Sequence, residues 1–168
     1  RGVTVVYQYD ALNRLTSLQY PDSANDAYLV HDQSTNGIGR LSSIEEHGQV
    51  LRFDYDSRGN LASQKMETDE AVFTIGYQYD LADSVVAMDY PSGARVTFQR
   101  NGQGQIVGIS AQLADGRHVT IASDIRYRGF GGLLGLMHGN GIVLSRDYDR
   151  ADRLIRHTET PVLDLEFS

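Results

Sequence analysis

Several residue types that often direct a protein's chemistry are missing from this chain of 168 residues. It has no cysteine and no tryptophan, and only three prolines. The lack of cysteine excludes disulfides and thiolate metal sites. No apolar run approaches the roughly 20 residues that a membrane span needs, so no membrane span is expected. The start carries no targeting signature, and a chain that begins "RGVTVVYQYD" is interpreted as a piece of a longer protein.

The charge balance also excludes a class of partner. The formal net charge is −7 at pH 7 and the pI is about 5.1. An acidic surface repels phosphate backbones, so we expect no nucleic-acid binding. The hydrophobic fraction of 40% is enough for a packed core, and the length fits one domain.

What the chain does contain is a short motif that keeps returning. "YQYD" occurs at residues 7–10 and again at residues 77–80, and "FDYD" and "RDYD" end at Asp56 and Asp149. Aligned as aromatic, Asp, two free residues, a turn residue, a polar residue and an aliphatic, the motif has four clear copies. Three weaker copies, "HDQSTNGIGRL", "QRNGQGQIV" and "YRGFGGLL", fill the gaps. A period of about 20 to 28 residues is typical of repeat arrays, and we interpret residues 1–168 as one run of about seven repeats.

The motif has the chemistry of a hairpin turn. An Asp at the first position of a type I turn accepts N–H bonds from residues ahead, and a three-residue hairpin loop then needs one residue at positive φ. Gly adopts that conformation most readily, with Asn and Asp next. The sequence therefore predicts a structural turn motif rather than a catalytic, cofactor or metal site. Its predicted residues are Tyr9, Asp10, Asn13, Gly39, Arg40, Tyr55, Asp56, Gly59, Tyr79, Asp80, Asp83, Asn101, Gly104, Tyr127, Gly131, Tyr148, Asp149 and Asp152.

The segments before these turns alternate with a period of two. Leu51, Phe53 and Tyr55 fall on one face, and the same alternation runs through residues 3–9 and 73–79. This period indicates half-buried antiparallel strands, and the Tyr before each Asp is expected to lie in the core. A second set of turn signals, such as "YPDS", "EHGQ" and "YPSG", lies between the motifs and marks tight reversals. The chain is thus predicted to be an all-β antiparallel meander of hairpins.

The motif Tyr-Asp-x-x-Gly-Arg-Leu, with "YPSG" return turns followed by "ARVTFQRN", resembles the YD-repeat, or RHS-repeat, family. The resemblance runs from Val3 to about His157. That family includes bacterial polymorphic toxins, the C component of insecticidal toxin complexes and the animal teneurins. The resemblance implies a curved β-hairpin strip that forms part of a hollow β-shell around a C-terminal toxin or effector domain. It also implies a secreted or cell-surface bacterial protein.

In the bacterial shells a self-cleaving core with an Asp-Pro-containing signature follows the repeats. The three prolines here follow Tyr or Thr, so no Asp-Pro dipeptide occurs. By resemblance, both that core and the toxic domain are expected to lie outside this stretch. The partners implied are the remaining repeats and the effector domain of the same parent chain. An open strip would also expose its edges, which favours self-association through the sheet edges.

Residues that could carry catalysis form no recognised pattern. The five histidines do not pair at metal-ligand spacing, and no Gly-x-Ser-x-Gly elbow marks a nucleophile. "GFGGLLG" lacks the Lys-Ser/Thr of a phosphate loop and is interpreted as a glycine-rich turn with a closely approached strand. Asp54 with Asp56, and Asp147 with Asp149 and Asp152, could hold a hard cation, but turn capping is the stronger interpretation.

The sequence therefore predicts a structural wall segment with no catalysis and no cofactor of its own. The main alternative is a carbohydrate-binding or adhesion module, because exposed tyrosines beside Asp, Asn and Gln suit sugar recognition. A hydrolase is the least favoured alternative, since no nucleophile or acid pair is recognised.

Overall fold

A computed structural model of the chain describes residues 2–161. The described residues form fourteen strands. They are β1 (Val6–Tyr9), β2 (Leu15–Gln19), β3 (Ala27–His31), β4 (Leu41–Glu46), β5 (Gln49–Tyr55), β6 (Leu61–Glu67), β7 (Val72–Tyr79), β8 (Val85–Asp89), β9 (Arg95–Arg100), β10 (Ile106–Gln112), β11 (His118–Tyr127), β12 (Leu133–His138), β13 (Ile142–Tyr148) and β14 (Leu154–Pro161).

The strands form one open sheet in which spatial order follows chain order. Each described pairing is antiparallel, as in the hairpin from β1 to β2 and the next from β3 to β4. The predicted all-β antiparallel meander is confirmed. Within residues 2–161 the helical structure is a single 3₁₀ turn at Ser23–Asn25. No helix in that range has the length and apolarity that crossing a bilayer demands.

The described chain divides into two units. The first holds residues 2–78 with 89–91, and the second holds residues 79–88 with 92–161.

One face of the first unit is apolar. Directly paired residues of antiparallel strands share a face, and Leu29 pairs with Ile44, which pairs with Leu51. The row continues from Leu51 to Met66 and from Met66 to Phe73. Five apolar side chains thus lie side by side across five strands, and Met66 and Phe73 stay substantially exposed. This face results from the period-two alternation of the sequence.

The opposite face of the same unit carries a row of polar and charged side chains, although Val50 and Val72 also lie on it beside Glu67. Ser43 pairs with Arg52, Arg52 with Lys65, and Lys65 with Thr74. Glu67 lies on this face, accepts from Arg52 Nε at 3.1 Å and pairs with Lys65 Nζ at 2.7 Å. The hydrogen bond from Lys65, followed by the one from Arg52, lowers the pKa of Glu67. Such exposed pairs contribute little to stability, but they define which face meets water.

The second unit buries a few apolar residues on its strands. Ala111, Ala122, Ile125 and Leu144 are its buried apolar residues within the described range, together with Ala87. Ile125 follows Asp124, which has a φ of 50° and lies where the pairing of β11 with β12 shifts register. The alternation of the sequence gives no sign of this bulge, so it was not predicted.

One return connection differs from the predicted tight reversal. Residues 20–26 form a loop with a 3₁₀ turn in which Asp22 accepts from Ala24 N at 3.1 Å. Asp26 closes the loop by accepting from Tyr20 N at 2.8 Å. The side chains of two aspartates, rather than a two-residue turn, therefore organise the reversal. By contrast, β4 and β5 are joined by His47 and Gly48, both at positive φ, as a tight hairpin requires.

Candidate functional site

The repeated motif lies at the turns that join β1 to β2, β3 to β4, and every second connection after that. We call these the YD turns. In the first, Asp10 N–H donates to the Arg14 carbonyl at 3.0 Å, and Asn13 N–H donates to the Asp10 carbonyl at 3.0 Å. The same pair of bonds recurs in the turns that begin at Asp56, Asp80, Asn101, Arg128 and Asp149. This is the geometry of a three-residue hairpin loop with a bulge.

The turn residue that the motif places before its polar residue adopts positive φ in each YD turn. The values are 60° at Asn13, 79° at Gly39, 86° at Gly59, 58° at Asp83, 79° at Gly104, 92° at Gly131 and 61° at Asp152. Among non-glycine residues, Asn and Asp tolerate this conformation best. Register shifts mark the bulge beside the turns, for example between Asp54 and Tyr55.

In four of the turns one oxygen of the aspartate accepts two backbone hydrogen bonds from within the turn. Asp56 Oδ1 accepts from Arg58 N at 2.9 Å and from Asn60 N at 2.9 Å. The same oxygen of Asp10, Asp80 and Asp149 accepts from the residues two and four ahead, at 2.8 to 2.9 Å. Asn101 makes the same two bonds at 3.1 and 2.9 Å. In these five turns the first position supplies an acceptor oxygen on a short side chain, and Asn101 shows that no charge is needed. The turn that begins at Arg128 keeps its backbone hydrogen bonds without such an acceptor.

The second aspartate oxygen is also engaged. Arg14 Nε donates to Asp10 Oδ2 at 2.7 Å, and Arg153 Nε donates to Asp149 Oδ2 at 2.8 Å. The pKa values of Asp10 and Asp149 are lowered. The largest cause is the backbone N–H of Arg14 or Arg153, and the guanidinium bond of the same arginine adds to it. Burial opposes the shift at Asp56, yet hydrogen bonds from Asn60 and Arg58 still lower its pKa. Carboxylates held ionised by local donors are poor general acids.

The second YD turn is wider than the rest. Asp32 N–H donates to the Arg40 carbonyl at 3.0 Å, which leaves a seven-residue loop between them, and Asp32 itself has a φ of 69°. Its carboxylate accepts from Gly39 N at 2.6 Å. It also forms a two-bond pair with the Arg14 guanidinium at 3.0 and 2.7 Å. The Arg14 side chain, followed by Gly39 N–H, lowers the pKa of Asp32 to about 2. Arg14 therefore joins the first repeat to the second.

The residue just before the Asp position joins neighbouring repeats. Tyr55 Oη donates to the Leu41 carbonyl at 2.8 Å, and Tyr148 Oη donates to the Leu133 carbonyl at 2.8 Å. Where the fifth repeat has Arg100 instead of Tyr, its Nη2 donates to the Val85 carbonyl at 3.1 Å. All three acceptors belong to the first residue of the second strand in the preceding hairpin. We call this contact the inter-repeat latch.

The latch lies where the strand ladder ends. The pairing of β4 with β5 stops at Ser43 and Arg52, so the Leu41 carbonyl lies beyond it and takes its hydrogen bond from a side chain. A buried carbonyl without a partner is costly, and the tyrosine hydroxyl removes that cost. Tyr55 and Tyr148 are accordingly half-buried rather than in a closed core.

Arginines cover the rings of two latch tyrosines. The Arg40 guanidinium carbon lies 5.4 Å from the Tyr55 ring centroid, and that of Arg128 lies 4.8 Å from the Tyr148 ring centroid. Arg128 also pairs with Asp152 at 2.5 Å. Arg40 follows the turn glycine of its repeat, whereas Arg128 occupies the Asp position. Two different sequence positions can therefore place a guanidinium over the ring of a latch tyrosine.

The other predicted tyrosines end their strands with differing exposure. Tyr9 ends β1 and is 56% exposed, while Tyr79 and Tyr127 end β7 and β11 and are half-buried. The core placement expected for the Tyr before each Asp is therefore wrong for Tyr9, because β1 is an edge strand of the sheet. Sequence reasoning also missed the latch role of Arg100 and the pairing roles of Arg14 and Arg128. The recurrence of Arg near most of these turns, although not near the turn at Asp80, was the available signal.

The other groups considered for chemistry are dispersed or already used. Asp54 accepts from Ser63 Oγ at 3.3 Å, whereas Asp56 closes its turn. His47 lies in the β4–β5 hairpin, with Nε2 at 2.8 Å from Asn25 Oδ1. Across residues 2–161 no group of three or more His, Asp or Glu side chains has the arrangement of a metal site.

A hollow of about 510 Å³ in the second unit has polar and apolar walls. Its polar lining includes Gln99, Ser110, Thr120, Ser123, Asp124 and Arg126, and none of its lining residues is aromatic.

Comparisons with known proteins identify the fold. No family model and no curated protein gives a significant match. Among solved structures, the crystal structure of TcdB2-TccC3 superposes with a TM-score of 0.80 at 19% identity, over 97% of this chain. The Photorhabdus luminescens Tc holotoxin pore gives 0.78 at 18% identity over 97%, and TcdB2-TccC3-Cdc42 gives 0.77 at 19% over 94%. TccC3 is the RHS-repeat, or YD-repeat, component of these complexes. This chain has the YD-repeat fold.

This chain spans about a tenth of the length of the chains it matches, between 9% and 10%. The matched structures are parts of larger toxin assemblies, and one of them is a complex with Cdc42.

Proposed function

We propose that this chain is a structural segment of a YD-repeat shell that encloses a C-terminal toxin or effector domain of its parent chain. It carries out no catalysis, and its residues 1–168 form one run of about seven repeats. Residue 1 and residues 162–168 lie outside the described residues. The YD turns fix hairpin register, and the latches hold successive hairpins together.

The observation that carries the proposal is the two-faced sheet of the first unit. Leu29, Ile44, Leu51, Met66 and Phe73 form a continuous apolar row on one face, and the other face carries Arg52, Lys65 and Glu67. An antiparallel sheet with one apolar face needs that face covered. In a shell wall the cover is the enclosed domain, and the charged face meets solvent.

Phe73 and Thr74 provide a matched test. They are neighbours on β7, both are exposed, and their side chains lie on opposite faces. In the full-length parent protein, Phe73→Glu places a charge on the apolar face, whereas Thr74→Glu places the same charge on the polar face. We expect Phe73→Glu to increase the rate at which a protease cleaves the enclosed domain, and Thr74→Glu to leave it unchanged. Equal cleavage rates in the two variants would refute the proposal. So would an enclosed domain that the protease cleaves as fast in the wild type as in Phe73→Glu.

The carbohydrate-binding alternative meets an obstacle at the latch tyrosines. A sugar stacks on a free aromatic face, but the Tyr55 and Tyr148 rings are covered by Arg40 and Arg128. The hollow of the second unit has no aromatic wall. A glycan array separates the alternatives, since a wall segment is expected to bind no glycan. The secreted or cell-surface location remains part of the proposal, supported by the Tc toxin neighbours.

A further inference from the structure

Three Asn-Gly pairs lie in the connections between strands. They are Asn36–Gly37 between β3 and β4, Asn101–Gly102 between β9 and β10, and Asn140–Gly141 between β12 and β13. Asparagine modifies itself most readily when glycine follows it, because glycine has no Cβ to shield its own backbone nitrogen. That nitrogen attacks the side-chain carbonyl carbon of the asparagine. The rate at each pair therefore depends on how freely the amide can turn onto the next nitrogen.

The fold restrains the first pair at both reacting groups. Asn36 Nδ2 donates to the Tyr55 carbonyl at 2.9 Å, and Gly37 N–H donates to the Ser34 carbonyl at 2.9 Å. Gly37 is also buried, and a Cβ built on it would collide with the Ser34 side chain. The amide and the attacking nitrogen of this pair are thus both held in place by their neighbours.

The second pair is restrained through its amide. Asn101 Oδ1 accepts the two backbone bonds of its YD turn, and Asn101 Nδ2 donates to Gln105 Oε1 at 3.0 Å. The amide cannot turn toward Gly102 without giving up all three of these bonds. Because each bond stabilises the folded turn, the reactive arrangement is seldom populated.

The third pair is the least restrained of the three. Asn140 is exposed, and Oδ1 accepts from Ile142 N at 3.2 Å. Its Nδ2, the atom that leaves as ammonia, donates to no residue in the range 2–161. A Cβ built on Gly141 would meet nothing within 4 Å, so a five-membered ring has room to form. One backbone bond must also open, from Gly141 N–H to the His138 carbonyl at 2.9 Å, and it lies at an exposed turn.

We propose that Asn140 is a site of spontaneous deamidation in the folded chain, whereas Asn36 and Asn101 are protected. In the first step Gly141 N bonds to Asn140 Cγ, the Cγ–Nδ2 bond breaks, and ammonia leaves with the proton that Gly141 N has lost. The product is a five-membered succinimide. One water molecule then opens this ring at either carbonyl, which gives aspartate or isoaspartate at position 140. The inference does not depend on the proposed wall role.

The two products affect the hairpin differently. Aspartate keeps an acceptor oxygen for Ile142 N and adds one negative charge to a chain whose net charge is −7. Isoaspartate instead lengthens the main chain by one carbon within the turn. The turn has little room to adjust, because Gly139 N–H donates to the Ile121 carbonyl at 2.8 Å and a Cβ on Gly139 would collide with the Thr120 carbonyl. Isoaspartate is therefore expected to loosen the pairing of β12 with β13.

Peptide mapping by mass spectrometry tests the site, because trypsin places the three asparagines in separate peptides, residues 15–40, 101–117 and 129–146. The folded chain is kept in mildly alkaline buffer and sampled over days. We expect Asn140 to deamidate at least about fivefold faster than Asn36 or Asn101, the effect of one hydrogen bond of ordinary strength. In guanidinium chloride, where the fold is lost, the three rates should become similar.

Three results would overturn the proposal. One is an Asn140 that stays intact in the folded chain, and another is a rate at Asn36 or Asn101 that equals or exceeds the rate at Asn140. The third is a difference between the sites that persists unchanged in guanidinium chloride, because the neighbouring sequence rather than the fold would then set the rates.

A substitution tests the protection directly. Gln105→Ala removes the partner of Asn101 Nδ2 and changes no residue of the turn at 138–141. It should raise the deamidation rate of Asn101 severalfold and leave that of Asn140 unchanged. An unchanged rate at Asn101 would contradict protection by its amide bonds.

Discussion

At the scale of single residues, the first position of a YD turn acts as a hydrogen-bond acceptor rather than as an acid in every described repeat except the one that begins at Arg128. Asn101 occupies that position in one repeat and makes the same two backbone bonds as the aspartates. This natural substitution separates the acceptor from the charge. The role of Asp in the motif is therefore local and structural.

A pair of substitutions at this position tests the acceptor role. Asn101→Ala removes both bonds and should lower the free energy of unfolding by about 1–2 kcal/mol. Asn101→Asp keeps the acceptor oxygen and should change it little. Chemical denaturation measures both, and an alanine variant as stable as the wild type would contradict the role.

The turn glycines allow the conformational and steric costs to be separated. Gly104 has a φ of 79° and open space around it, so Gly104→Ala should cost about 1 kcal/mol for the strained backbone alone. A Cβ on Gly59, where φ is 86°, would collide with the Arg40 guanidinium. Gly59→Ala should therefore cost about 0.5–1 kcal/mol more, because Arg40 must leave the Tyr55 ring. Equal losses in the two variants, measured by chemical denaturation, would show that Arg40 contributes nothing there.

The turn carboxylates also predict how stability depends on pH. The pKa values of Asp10, Asp32 and Asp149 are lowered in the folded chain, that of Asp32 to about 2. The unfolded chain, with Asp pKa values near about 3.9, then binds more protons in acid. The free energy of unfolding should therefore have its highest value above about pH 5 and should fall as the pH drops toward about 2. Denaturation across that range measures it, and Asp32→Asn should flatten the dependence. Stability that rises on acidification would contradict the assignment.

At the scale of elements, the latch explains why an aromatic precedes the Asp. It supplies a donor to a carbonyl beyond the end of the strand ladder, and Arg100 replaces it in one repeat. Each hairpin and its motif thus act together, because the turn fixes the register of the hairpin and the latch attaches the next hairpin to it.

Removal of one hydroxyl tests the latch. Tyr148→Phe leaves the Leu133 carbonyl without its donor and should cost about 1 kcal/mol. Tyr9→Phe is the control, since the exposed Tyr9 hydroxyl makes no hydrogen bond to another residue of the range 2–161, and it should change stability by less than about 0.5 kcal/mol. Hydrogen exchange should also accelerate near Leu133 in Tyr148→Phe. Equal effects of the two variants would show that the latch does not stabilise the sheet.

The sequence predicted the elements better than the contacts between them. The alternation at Leu51, Phe53 and Tyr55 predicts a strand, and the structure confirms it as β5. The latch was not predictable because it joins residues 14 or 15 positions apart, Leu41 with Tyr55 and Leu133 with Tyr148. The bulge at Asp124 was missed for a different reason. One residue of positive φ inside a strand leaves the hydrophobic alternation almost intact.

At the scale of the whole molecule, the role that we propose is that of a wall segment. Its fold matches YD-repeat structures with TM-scores of 0.77 to 0.80, and it spans about a tenth of each matched chain. A wall segment needs a repeated, well-registered sheet with one covered face. The YD turns, latches and apolar row supply these properties.

Cryo-electron microscopy of the full-length parent protein tests this assignment most directly. We predict that the face bearing Ile44, Leu51 and Phe73 lines an internal volume occupied by another part of the same chain, while the face bearing Arg52 and Lys65 contacts bulk solvent. Density that shows both faces in solvent, or the charged face turned toward the enclosed chain, would contradict it.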